Sequence, residues 1–201
     1  EQEKSVIALS TGHGEPEIIN GKGPLEALRL RLEENYTLQG VTLGGTEEIP
    51  DEVDILWVVG PQKALNMRAL YQLDQFVMRG GSLGVFLINT KPNLRSLRAE
   101  PVYHGMETLL AHYGVQVNRD VIADRVHNGE MAFPVRQGRL VRQVQISYPL
   151  IPKAINISKE LPVMRGLESM LVPFVSSVGL QEPLPVDVEG EVWASSSKES
   201  G

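Results

Sequence analysis

The chain has no cysteine among its 201 residues. That absence excludes a thiol nucleophile, a disulfide framework and thiolate metal ligation, and it leaves the redox compartment open. Aromatic residues make up only 5%, and basic residues are outnumbered by acidic ones, 19 to 25, for a formal charge of -6. Nucleic-acid phosphates call for a clustered Lys/Arg face. The one basic concentration, Arg119, Arg125, Arg136, Arg139 and Arg142, is interrupted by acids and reads as a solvated strand face, so no nucleic-acid partner is expected. No window approaches the roughly 18 apolar residues of a membrane-spanning helix. The chain starts at Glu1 without a signal-type apolar run and ends in the polar Ser195-Ser196-Ser197-Lys198-Glu199-Ser200-Gly201. It reads as a soluble segment of a longer protein.

Several catalytic signatures are missing as well. Gly12-x-Gly14 lacks the third glycine of a dinucleotide fingerprint, and Gly21-Lys22-Gly23 lacks the Walker spacing and its Ser/Thr. Gly80-Gly81-Ser82-Leu83-Gly84 precedes a strand instead of following one, so Ser82 is not a nucleophile elbow. The histidines, His13, His104, His112 and His127, show no His-Glu-x-x-His arrangement, and a zinc site would need His13 and His127 to meet in space. No catalytic residue, metal or cofactor is therefore expected.

What is present is an α/β pattern. The apolar run Ser5-Val6-Ile7-Ala8-Leu9 leads into Thr11-Gly12-His13-Gly14-Glu15. Val53 to Val59 leads into Gly60-Pro61-Gln62-Lys63, and Leu83 to Ile88 into Asn89-Thr90-Lys91-Pro92. Pro24 suits the first position of a helix whose apolar face would be Leu25, Ala27, Leu28, Leu30 and Leu32. A second strand is expected over Tyr36 to Leu43. A second crossover helix, capped by Asn66, carries Ala69, Leu70, Leu73, Phe76 and Val77 and stops at Gly80-Gly81. The order over residues 4 to 88 is β-α-β-β-α-β, which predicts a mostly parallel sheet with helices on both faces. Trp57, inside its apolar run, is expected in the core, and Trp193 near the surface.

Beyond a helix at Met106, Leu109, Leu110 and Tyr113, alternation at Arg139 to Ile146, a turn at Gln137-Gly138, and strands at Ile151 to Ile157 and Met170 to Val178 indicate a β-rich C-terminal half. The expected organisation is an α/β sheet core over 1–125, a β-rich continuation of the same domain over 126–190, and a polar tail over 191–201.

Ligands of open α/β sheets sit beyond the carboxyl ends of the strands. His13, Glu15, Gln62 and Asn89 are accordingly the candidate ligand- or partner-binding residues. His13 and Glu15, two residues apart on a glycine-loosened loop, also have the composition of an acid/base pair or of two metal ligands. The same spacing fits a loop in which the glycines make the turn and His13 bonds a neighbouring backbone group. Asp54 and Asp74 are poor second carboxylates, since one opens a strand and the other sits within a helix.

Taken in order, Gly12-His13-Gly14-Glu15, Asp54-Ile55-Leu56-Trp57-Val58-Val59-Gly60-Pro61, Leu73-Asp74-Gln75-Phe76-Val77-Met78-Arg79-Gly80-Gly81-Ser82-Leu83 and Tyr113-Gly114-Val115 resemble the extracytoplasmic domain of GldG-type gliding-motility auxiliary proteins of ABC transport systems. Glu191-Val192-Trp193-Ala194-Ser195-Ser196 is similar to that family's late Thr/Ser-rich stretch. The resemblance implies a flavodoxin-like or class I glutamine-amidotransferase-like α/β fold. It also implies a bacterial inner-membrane location with this domain facing the periplasm, membrane contact through flanking segments, and an ABC permease and ATPase as partners. Amidotransferase relatives of that fold use a cysteine at a strand-to-helix elbow, and this chain has none. The expected function is thus a non-enzymatic binding or scaffolding domain taking a partner subunit, a peptide or a glycan. The alternatives are a hydrolase using His13 and Glu15 as acid and base, and a structural spacer.

Overall fold

The structure, a computed structural model, describes residues 4–19, 25–93, 98–138 and 140–201. The chain divides into two compact units, Glu1–Ile88 with Val102–His112, and Asn89–Pro101 with Tyr113–Gly201. Residues 113–125, read with the sheet core from sequence, thus belong with the second unit.

In the first unit the order is β1 (Val6–Thr11), α1 (Glu26–Glu33), β2 (Thr37–Thr42), β3 (Ile55–Val59), α2 (Met67–Met78), β4 (Ser82–Phe86) and α3 (Met106–His112). The four strands are parallel in the order β2-β1-β3-β4, in the β-α-β-β-α-β succession expected from the sequence. Ile7, Ala8, Leu9 and Ser10 are buried in succession on β1, because an interior parallel strand is covered on both faces and needs no polar alternation. On β3 only Leu56 and Val58 are fully buried. Trp57 points to the other face and is half-buried, not in the core as expected. It packs edge-on against Phe86 with ring centroids 5.5 Å apart. Gly84 makes that approach possible, since a Cβ there would stand 2.6 Å from the indole Cδ1.

α2 has the predicted period, burying Ala69, Leu73 and Phe76 with Gln72 between them. The Asn66 side chain accepts the Ala69 N–H at 2.8 Å, satisfying one of the free donors of the first turn. Asn66 also donates to the Gly44 carbonyl at 3.3 Å, while the Gln72 side chain accepts from Gly44 N–H and donates to the Glu47 carbonyl. Gly44 has φ +80, and a Cβ there would lie 2.7 Å from Asn66 Oδ1, so this joint requires glycine. α1 departs from expectation. It forms, but buries none of its residues, leaving Leu28 and Leu30 41% and 52% exposed. At eight residues it is too short for packing of a full apolar stripe, and an Arg29–Glu33 ion pair one turn apart supports it instead. Pro24 lies outside the described residues.

The second unit is built from antiparallel pairs. β5 (Thr90–Asn93) pairs with β6 (Arg98–Pro101), and β7 (Val115–Val117) with β12 (Val178–Leu180). β8 (Asn128–Gln137) pairs with the long β9 (Leu140–Ala154), whose far end also pairs with β11 (Met170–Leu171). β10 (Asn156–Ile157) pairs with β13 (Ala194–Ser195). The turn expected at Gln137-Gly138 joins β8 to β9, with Gly138 at φ +62. Arg139, expected to open the alternating strand, lies outside the described residues. The strand expected over Met170 to Val178 is two short ones, β11 and β12. The Val172 and Phe174 N–H groups still donate to the Pro152 and Leu150 carbonyls, but Pro173 has no N–H and Phe174 stands at φ +55, so the regular strand is broken there. The stretch 191–201, read as a polar tail, carries β13. It also returns to bond Gly201 with Ala123 in both directions.

Candidate functional site

The connection from β1 runs outward to β2 and that from β3 to β4 on the other side, so a crevice opens beyond the carboxyl ends of β1 and β3. Both glycine-loosened loops lie there. The Gln62 and Lys63 N–H groups donate to the His13 carbonyl oxygen at 2.8 and 2.9 Å, and Gly60 N–H donates to the Phe86 carbonyl at 2.7 Å. The loops after β1 and β3 and the end of β4 are thereby stitched into one rim. Gly14, at φ +81, is set so close to Gln62 that a Cβ would come within 3.1 Å of the Gln62 Cβ. A substituent would press on the same stitching.

Sequence reasoning brings His13, Glu15 and Gln62 to this rim, and the structure places all three there. Their polar atoms, however, are largely engaged within it. Glu15, with its side chain 4% exposed, accepts from the Ser10 hydroxyl at 3.0 Å and from the His13 N–H at 2.6 Å. His13 is buried, and its Nδ1 stands 3.7 Å from the Glu15 carboxylate without a hydrogen bond. Gln62 Nε2 donates back to the Gly60 carbonyl at 3.0 Å. A carboxylate whose oxygens order its own loop holds that loop's shape; a general base needs an oxygen directed at a substrate proton.

The surface these groups support is apolar. A concavity of about 510 Å³ is lined by Gly14, Pro16, Val59, Gly60, Gln62, Phe86, Leu87 and Ile88. Phe86 and Ile88 are 53% and 43% exposed and lie together on its wall. The volume lies within the ~300–1,000 Å³ range of small-ligand sites. The periodicity that assigns these residues to a strand contains no sign that they form a pocket wall.

Asn89, the fourth candidate, belongs to the second unit. There it is 1% exposed and its side chain donates to the Asn118 carbonyl at 3.1 Å. That unit has its own concavity, about 630 Å³, between Ala154, Met170, Val175, Val178 and the 192–201 segment. The carboxylate on its wall, Asp120, is engaged by Ser177 N–H and hydroxyl.

The most constrained ionisable group is one that sequence reasoning did not select. Asp124 is fully buried, accepting Val126 N–H at 2.9 Å, His127 N–H at 2.7 Å and the Ser197 hydroxyl. Burial pushes its carboxyl up. The Ser197, His127 and Val126 donors and the charge of His127 outweigh that and hold it below the ordinary carboxylate value. The Asp-x-x-His turn is legible locally, but Ser197 is not. His104, also fully buried, accepts Met106 N–H at 3.2 Å on its Nδ1 and sits at the start of α3. Among the described residues no group of three or more His, Asp or Glu could hold a metal ion, and no helix is long and apolar enough to cross a membrane.

The solved structure titled "mmIFT52 N-terminal domain" is similar over 89% of this chain and 70% of that chain, with 17% identity and a TM-score of 0.59. At that identity the likeness shows the fold, a parallel sheet combined with antiparallel strands. No curated protein matches the sequence. The family model described as "ABC-type uncharacterized transport system" matches residues 4–201, so the chain belongs to that family, the auxiliary components of ABC-type transport systems.

Proposed function

We infer that this chain is a non-enzymatic accessory domain that recruits or steadies the membrane subunits of its transport system, using the crevice beyond β1 and β3 as its recognition site. The observation that carries this reading is the chemistry of the crevice. Its titratable groups, His13 and Glu15, are turned into the loop, while Phe86, Ile88, Val59 and Pro16 face the concavity. Such a surface suits an apolar side chain of a partner segment better than a glycan, whose hydroxyls need polar partners in a buried site. The GldG-type resemblance supports the finer placement: a flavodoxin-like sheet on the periplasmic side of a bacterial inner membrane, anchored through flanking segments and bound to an ABC permease and ATPase.

Affinity purification of the protein from its own membranes in mild detergent, followed by mass spectrometry, tests the reading, with a deletion of residues 4–201 as control. Permease and ATPase recovered with the intact protein and lost with the deletion are the expected outcome. Recovery that persists without residues 4–201 would remove the recruiting role.

A further inference from the structure

The β8–β9 ribbon is the least covered structure in the second unit. β11 pairs only with Lys153 and Ala154, so from Glu130 to Ser147 the ribbon has no third strand among the described residues. Directly opposed residues share a face. The pairings Met131↔Ile146, Phe133↔Val144 and Val135↔Arg142, with Leu140 two positions before Arg142, therefore put a largely apolar stripe on one side. Leu140, Ile146, Val144 and Val135 are 40–65% exposed. A two-stranded ribbon is marginally stable in water without a cover on its apolar face. The ribbon is also basic in an acidic chain, with Arg136, Arg139, Arg142 and Lys153 against Glu130 alone over residues 128–154. Arg142 is exposed on the apolar side, opposite Val135, whereas Arg136, also exposed, pairs with Val141 and lies on the other side of the ribbon.

The complement to this surface is present elsewhere in the same unit. Residues 182–191 carry Glu182, Asp187, Glu189 and Glu191, all exposed, and no basic side chain. Interleaved and following are Val186, Val192 and Trp193, exposed by 89%, 65% and 51%. One surface is apolar with Arg142 set in it, on a ribbon that is basic overall, and the other is apolar with carboxylates. The pair is what a two-fold interface requires, because each copy then presents both halves of the contact.

We propose that two copies of this chain associate reciprocally, the β8–β9 ribbon of each lying on the acidic 182–193 segment of the other. The ribbon from Glu130 to Gln137 extends roughly 27 Å at ~3.4 Å per residue. Two contacts of that length bury an area near the low end of specific interfaces, about 1,200 Å² in total. The dimer is consequently concentration-dependent, and its charge pairing makes it weaker in high salt. An anionic lipid surface would also take an apolar, arginine-bearing ribbon, but the acidic segment of the same unit opposes that approach and complements a second copy.

Sedimentation equilibrium of the whole chain over a wide concentration series, at low and high salt, tests the proposal. Arg142→Glu, and separately Glu189→Lys with Glu191→Lys, should each weaken self-association about tenfold or more, because like charges then face each other. Both sets combined should restore it. All three positions are exposed, and unchanged circular dichroism and melting confirm that the variants fold. A chain monomeric throughout the series, or a dimer indifferent to either reversal, overturns the proposal. So does a monomer that co-sediments with anionic vesicles through the ribbon, which assigns the surface to lipid.

Discussion

The two units hold themselves together in different ways. The first surrounds β1 with neighbours on both edges and buries Leu56, Val58, Leu73 and Phe76 completely or nearly so, with polar side chains such as Asn66 and Gln72 fastening loops to a core that already exists. Among the described residues the second has sheets of two or three strands, and Asp124, which closes its own turn through Val126 and His127, also ties that turn to the remote Ser197. Where apolar burial is generous, hydrogen bonds adjust the loops; where it is thin, a single buried carboxylate takes over part of the organising role. The same contrast separates their surfaces. The first offers a compact apolar concavity on a rigid rim, and the second an extended ribbon with both faces largely open.

The largest effect is expected at the core of the first unit. Leu73→Ala, at a position with no exposure, should cost about 2–5 kcal/mol through lost burial and the cavity left behind. Hydrogen exchange should place that loss in β1, β3 and α2.

A smaller effect is expected at Asp124. Asp124→Asn should cost about 1–3 kcal/mol, since an amide cannot accept at both positions and directs N–H groups toward a donor. It should also alter the pH dependence. The folded pKa lies below the unfolded one, so the carboxylate's contribution is fully present above the unfolded value, about 3.9. That contribution is lost as pH falls through the depressed folded value. Acid titration followed by near-ultraviolet circular dichroism should therefore show a shallower stability loss below about pH 4 in the variant than in the parent. Parallel titrations would detach Asp124 from the second unit's stability.

Asn66→Ala sharpens the role assigned to polar groups in the first unit. Loss of the cap should lower stability by about 1 kcal/mol, measured by denaturant titration. The crevice should survive, because the core beneath it is unaltered.

The pattern of the first unit was legible because its signals are local. The run at Val6 to Leu9 ending in Gly12 and Gly14, the three-to-four spacing from Ala69 to Phe76, and the Asn66 cap each follow from neighbours within a few residues. The same local view misjudged α1 and Trp57. Leu28 and Leu30 fit a helical stripe yet stay exposed, and the indole of Trp57 lies in the space that Gly84 leaves on the adjacent strand. In the second unit the partners are remote: Ser197 reaches Asp124 across 73 positions, and Gly201 bonds Ala123. No periodicity encodes such contacts. The site was half legible. Strand-end loops located the rim, but that Glu15 would turn inward to Ser10 and His13, leaving Phe86 and Ile88 to form the surface, depends on loop conformation.

Site-specific photocrosslinking in native membranes is the sharpest test of the crevice as a recognition site. A photoreactive side chain replaces Ile88 on the concavity in one variant and Arg31 on the exposed α1 in another. A covalent adduct with a transporter subunit is expected from position 88, abolished by Phe86→Lys, and none from position 31. Equal adducts from both positions, or none from position 88 while the complex still co-purifies, would contradict the crevice as the recognition site.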